Sequence, residues 1–182
     1  MSSPLAFQHN HEPIYRVVRA NWRDPLDATF SQNSVDNRWN TKTFSALYCC
    51  CSEPVMIAVA EDILGYAGVD LSDLQPDYLP HKVGISWSGN VVDVITEEGI
   101  TAIGLPSQYP ANVDKSQTRI LSEEWFATDK EGVVGRSASL MRKGFTKWTG
   151  HHEQWSEVAI FTSNTATPPT MISRTNLTFT SA

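Results

Sequence analysis

The chain has 182 residues, a length that one domain fills. Apolar residues make up 41%, enough for one sizeable core, and the formal net charge is −6 with lysines and arginines scattered. That distribution excludes the phosphate-neutralising basic patch of a direct nucleic-acid binder. No run of about 18 apolar residues is present to span a bilayer. The N-terminal MSSPLAFQHNHEP lacks the basic-then-apolar order of a secretory signal, which points to a cytoplasmic protein.

Residues 1–12 are polar and read as a flexible end carrying His9 and His11, a pair with no third metal ligand near it. Ile14 to Arg19 has the β-branched content of a strand, with Ile14, Arg16 and Val18 on one face. An arginine between two apolar residues is costly to bury unless it meets an anion, so Arg16 is a candidate ligand. Residues 21–37 are rich in Asp, Asn, Ser and Thr and form a long loop or lid, closed by Arg38-Trp39-Asn40. Phe44 to Cys50 is strand-like. Cys49, Cys50 and Cys51 are consecutive, so their side chains alternate in direction. They suit neither a disulfide framework nor a three-cysteine zinc site and read as small reduced core residues. Ser52 is a good helix N-cap, Pro54 falls in the first turn, and Gly68 stands where the helix ends. Within that helix Ile57, Ala60, Glu61 and Leu64 share one face. Glu61 is then on or beside the apolar stripe, and a solvated surface position fits the pattern equally well.

Asp70 to Pro80 is an acidic, proline-containing connection. Lys82–Ser86 and Val91–Ile95 flank Ser88-Gly89-Asn90 and read as a β-hairpin. Glu97–Leu105 predicts a short helix, and Thr118–Ala127 a second, with Ile120, Leu121, Trp125 and Phe126 supplying core. Gly132 to Ser137 reads as a strand entering a turn, Glu157 to Thr162 as a strand, and Thr175 to Thr180 as a last edge strand. No repeat or domain boundary interrupts the pattern, which describes an α+β domain. The dinucleotide fingerprint, phosphate loop, HExxH and GxSxG motifs are all absent. His151-His152 beside Glu153 read as surface residues.

An ordered set of short segments resembles the RES domain family. The segments are Tyr15-Arg16, Asn37-Arg38-Trp39-Asn40, Leu47-Tyr48, Ala60-Glu61, Thr118 to Trp125, Gly132 to Ser137 and Val158 to Phe161, together spanning residues 14–161. The resemblance implies an α+β, ADP-ribosyltransferase-like fold, a split mixed β-sheet with flanking helices, forming a single domain over residues 13–182. It also implies an NAD+-degrading enzyme, glycohydrolase or phosphorylase, acting as a bacterial toxin. The partner it implies is a cognate antitoxin or immunity protein, with room for a homo-oligomer formed through that complex. A protein ADP-ribosyltransferase is the alternative, and an inactive NAD-pocket binding module a second. Asp36-Asn37 stand where the family has glycines, and Arg136 where it has proline. Either Ser137 or Ser139 can be the family serine.

NAD+ is here a substrate, and no metal is expected. Nicotinamide leaves neutral while the ribose becomes oxocarbenium-like. Arginines suit the pyrophosphate, because a guanidinium can give it two parallel hydrogen bonds; Arg16 and Arg38 are the candidates. A tyrosine face suits nicotinamide, and Tyr48 is the candidate. A carboxylate suits the ribose cation, and the resemblance places Glu61 there beside Arg38 as the catalytic pair. Ser137 would bond the ribose or the nicotinamide amide, and Trp39 reads as a structural anchor.

Overall fold

The computed structural model describes residues 3–34, 37–68, 70–148 and 153–179. Asp36, His151 and His152 lie outside them. The strands are β1 (Ala6–His9), β2 (Ile14–Arg19), β3 (Ala46–Cys50), β4 (Pro80–Ser86), β5 (Gly89–Val94), β6 (Gly132–Arg136), β7 (Ser156–Phe161) and β8 (Thr170–Asn176). The helices are α1 (Glu53–Ala67), α2 (Glu97–Ala102), α3 (Lys115–Ala127) and α4 (Ala138–Arg142). All strands join one sheet in the order β1-β5-β6-β7-β3-β2-β4-β8. Its neighbours are antiparallel except β5 and β6, which run parallel. This is the α+β class, with a mixed sheet and flanking helices.

Local chemistry sets the helix ends. Ser52 Oγ accepts the Val55 N–H, Pro54 occupies the first turn, and Gly68 closes α1 at φ 62°. The Asp114 carboxylate accepts the Ser116 N–H at 2.9 Å, so α3 begins at Lys115, earlier than apolar spacing predicts. Ser137 caps α4, a helix too short to show a period in the sequence.

The central strands are buried on both faces. On β7, Val158 and Ile160 enter one core with Ile14, Leu47 and Cys49. Ala159 and Phe161 enter another with Trp39, Tyr109 and Trp125. Cys50 joins Val55 and Met56 beneath α1. The three cysteines are reduced and buried, as their run implies. Burial pushes the Cys49 thiol up to about 12, which keeps it from forming a reactive thiolate at neutral pH.

Three elements differ from the sequence reading. β4 and β5 are not a hairpin: β4 pairs with β2 and β8, and β5 with β1 and β6. Yet Val83 and Ile85 of β4 share a core with Val91 of β5. The sheet therefore curls until its two ends face each other, and the chain crosses between them at Trp87, which is 2% exposed. The N-terminal end is not loose over Ala6–His9, which pairs with β5. His9 is buried, bonds Glu153 through Nδ1 and packs on Trp87. The last strand begins at Thr170, ahead of the alternating segment, whose Leu177 packs with the cluster under α1.

The sheet is split between β2 and β3. Those strands share one paired position, Tyr15 with Cys50, and part beyond it. Because Trp87 fills the space between the curled halves, Trp87→Ala is expected to cost about 3–5 kcal/mol in urea unfolding.

Candidate functional site

Two adjoining cavities, of about 680 and about 290 Å³, share Asn37, Tyr48, Val59, Ile63 and Glu157, and the smaller one lies between the parting strands. Arg38 lines the larger and Arg16 the smaller.

Tyr48 is the post between the cleft and the turn that leads into it. Its hydroxyl accepts the Trp39 N–H at 2.9 Å and donates to Asn40 Oδ1 at 2.8 Å. Asn40 Nδ2 donates to the Ser31 carbonyl at 2.8 Å, and Ser31 Oγ accepts the Ala46 N–H at 2.9 Å. Burial raises the Tyr48 phenol well above its ordinary range, so it stays neutral. With both hydroxyl bonds committed, Tyr48 offers the cleft its ring. Trp39 anchors the turn, packed 5.5 Å from Trp125 and 6.1 Å from Tyr109. Arg38 beside it lines the same cavity as Tyr109.

Arg16 is half-buried and holds the long loop against β2. Its Nη1 donates to Pro25 O at 2.8 Å and Asp27 O at 3.1 Å, with Trp22 beneath the guanidinium at 5.3 Å. It faces the smaller cavity from that position.

Glu61 lies outside both cavities. It is exposed and ion-paired with Lys143 at 2.5 Å. The cleft face of α1 carries Val59, Asp62 and Ile63. Asp62 accepts from Arg142 Nε at 3.0 Å and Nη2 at 2.5 Å, so the two ion pairs fasten α1 to α4 along the cavity edge.

The carboxylate on the cavity floor is Glu157, at the start of β7. Its Oε1 accepts the Ser137 hydroxyl at 2.6 Å. Ser137 is fully buried and its Oγ also accepts the Leu140 N–H at 3.3 Å. Ser139, not Ser137, lines the cavity, and its Oγ accepts from Arg142 Nη2 at 3.3 Å. Burial raises the Glu157 carboxyl above the ordinary glutamate range, against the opposing pull of Ser137, Arg38 and Arg142. Arg136 grips three carbonyls: Nε donates to Ile95 O at 2.8 Å, and Nη1 to Ser107 O at 3.1 Å and Tyr109 O at 3.2 Å. That ties the Tyr109 loop to β6.

Four cations, Arg38, Lys115, Arg136 and Arg142, line the larger cavity, against two carboxylates, Asp62 and Glu157. An anionic chain of net charge −6 thus concentrates positive side chains at one concave site. Among the expected residues the structure gathers Arg38, Tyr48 and, in the adjoining lobe, Arg16. Ser137 stands behind the wall and Glu61 outside it. Sequence reasoning missed Glu157, Asp62, Arg142 and Tyr109. Glu157 had a readable signal: it opens a strand whose next four residues are all buried.

The RES domain family matches residues 13–169, and the chain belongs to that family. Among solved structures, a chain in the crystal structure of the M. tuberculosis MbcT–MbcA toxin–antitoxin complex is similar, with TM-score 0.67 and 17% identity over 97% of this chain and 87% of that one. At that identity the likeness concerns the fold. No curated protein sequence matches this chain.

Two stability predictions follow from the site's bonds. Tyr48→Phe leaves the Trp39 N–H and Asn40 Oδ1 unsatisfied, and urea unfolding is expected to show a loss of about 1–3 kcal/mol. For Glu157 the folded value lies above the unfolded one. Its contribution to stability is therefore fully present below the ordinary glutamate range and is lost as pH rises through the folded value. Glu157→Gln should melt higher than wild type at pH 7–8, with the gap closing near pH ~4.

Proposed function

We propose that this chain is the toxin of a toxin–antitoxin pair and acts by cleaving NAD+ between nicotinamide and ribose. Family membership supports this, as does the fold shared with a chain of a toxin–antitoxin complex. The observation that carries it is the cleft beside the sheet split: cationic side chains ring a cavity of about 680 Å³ with a carboxylate on its floor. That is the charge pattern a dianionic pyrophosphate joined to an incipient ribose cation requires.

In this reading Arg38 and Lys115 hold the pyrophosphate, with Arg16 reaching it from the adjoining lobe. The Tyr48 ring receives the flat nicotinamide, and Ser139 is placed on the wall to bond a ribose hydroxyl. As the C–N bond breaks, its electron pair leaves with nicotinamide, which becomes neutral. A water oxygen bonds the ribose C1 atom and releases one proton, yielding ADP-ribose. Inorganic phosphate in the same place yields ADP-ribose 1-phosphate instead. A partner protein then protects the cell by closing this cleft.

Incubating the purified protein with NAD+ should release nicotinamide in stoichiometric amount. Arg38→Ala is expected to lower kcat/KM about 30–100-fold, the loss of one charge-assisted phosphate contact. Phosphate dependence of the product separates phosphorolysis from hydrolysis, and retained label on protein identifies ADP-ribosyl transfer. NAD+ left intact with and without phosphate, in a folded partner-free sample, rules the reading out.

A further inference from the structure

We propose that the smaller cavity is the adenine subsite of this cleft, and that Phe30, an exposed aromatic side chain of the long loop, is the platform on which the base stacks. The assignment rests on the NAD+-cleaving reading above and concerns the end of the dinucleotide remote from the bond that breaks.

The two cavities differ in chemistry. The larger carries Arg38, Lys115, Arg136 and Arg142. The smaller carries one cation, Arg16, and one carboxylate, Glu157, which it shares with the larger. Apolar walls such as Val17, Ala46, Val59 and Ile63 enclose much of the rest. A flat base that is uncharged at neutral pH suits this lobe once the pyrophosphate is held among the cations. Its volume of about 290 Å³ is at the small end for a ligand site, room for one base and not for the whole dinucleotide.

Phe30 is 69% exposed, while Phe44 and Phe161 are buried. One exposed apolar side chain is ordinary on any surface. The setting of this one is not, because it lines a cavity and has a second aromatic ring beside it. Trp22 stacks with it at 6.1 Å between centroids and 17° between planes, and the Arg16 guanidinium lies 5.3 Å from the Trp22 ring. The short turn that carries Phe30 is pinned on both sides of it. Arg16 Nη1 donates to Asp27 O at 3.1 Å, and Asp27 Oδ1 accepts the Thr29 N–H at 2.8 Å. The Ser31 N–H donates to Ala28 O at 3.0 Å. A ring held in this way loses little freedom when a ligand lands on it.

The neighbouring polar groups are committed to the loop itself. Ser31 O accepts Asn40 Nδ2 at 2.8 Å and Asn37 Nδ2 at 3.2 Å, and Ser31 Oγ accepts the Ala46 N–H at 2.9 Å. Recognition then comes from the π-face, which every base has, rather than from the base edge. The subsite reads the presence of a base and tolerates its identity.

The test measures nicotinamide release from NAD+, nicotinamide guanine dinucleotide and nicotinamide mononucleotide. Calorimetric binding of ADP adds a readout that needs no turnover. Wild type is expected to use the guanine dinucleotide within about tenfold of NAD+ in kcat/KM, and the mononucleotide far less well. Phe30→Ala should lower the NAD+-to-mononucleotide ratio of kcat/KM about 5–150-fold, the worth of one base–aromatic stack, mainly through KM. Phe30→Trp should keep the ratio, and Phe30→Leu, apolar but without a π-face, should lose it. A ratio unmoved by Phe30→Ala, or kept by Phe30→Leu, overturns the platform and leaves the cleavage reading intact. A preference for NAD+ over the guanine dinucleotide beyond about tenfold overturns the base tolerance. NAD+ left intact by a protein whose ADP binding weakens in Phe30→Ala overturns the cleavage reading alone. Intact NAD+ with no binding of ADP overturns both.

Discussion

The smaller lobe of this site depends on β2 and β3 sharing one paired position and then separating. Neighbouring strands normally exchange hydrogen bonds along their whole length, and a central pair that does not must satisfy its backbone elsewhere. The long loop between the two strands meets both lips. Ser31 Oγ accepts the Ala46 N–H at the start of β3, and the Arg16 side chain of β2 donates to Pro25 O and Asp27 O. Where the ladder is missing the smaller cavity opens, lined by Arg16 and Val17 of β2 and by Ala46, Tyr48, Cys49 and Cys50 of β3.

The second constraint is electrostatic. A group of cations around a concave site repel one another, and two of them here have compensating partners. Arg136 is spread over three carbonyls, and Arg142 is paired with Asp62. Glu157 sits among them part-buried, its carboxyl raised by burial despite its neighbours. Such a carboxylate subtracts from stability at neutral pH, a cost commonly found where a group is retained for chemistry.

Features written in local chemistry were legible. Ser52, Pro54 and Gly68 marked α1 to within a residue, and the cysteine run could only be core. The turn Arg38-Trp39-Asn40 and Tyr48 were picked out by the order of short segments that resembles the family, and the fold joins them by hydrogen bonds across a short loop. What failed was non-local. The turn signal Ser88-Gly89-Asn90 suggested a hairpin, but Trp87 needed burial between the curled halves and separated the strands. Glu61 and Asp62 are adjacent in sequence and a third of a turn apart on the helix, so apolar spacing could not choose between them. Glu157 comes nearly a hundred residues after α1, and only the ladder between β7 and β3 brings it beside Tyr48. The α4 helix, five residues long, is visible only through its serine cap.

The stitching of the split has a mechanical consequence. Its two lips belong to different groups of strands, β1-β5-β6-β7-β3 on one side and β2-β4-β8 on the other. Beyond Tyr15 and Cys50 the two groups share no ladder bonds, only side-chain bonds through the loop and a common core in which Ile14, Val83 and Ile85 meet Leu47, Cys49 and Val91. The gap is therefore held by packing rather than by a ladder, and its width is set by the side chains that fill that core.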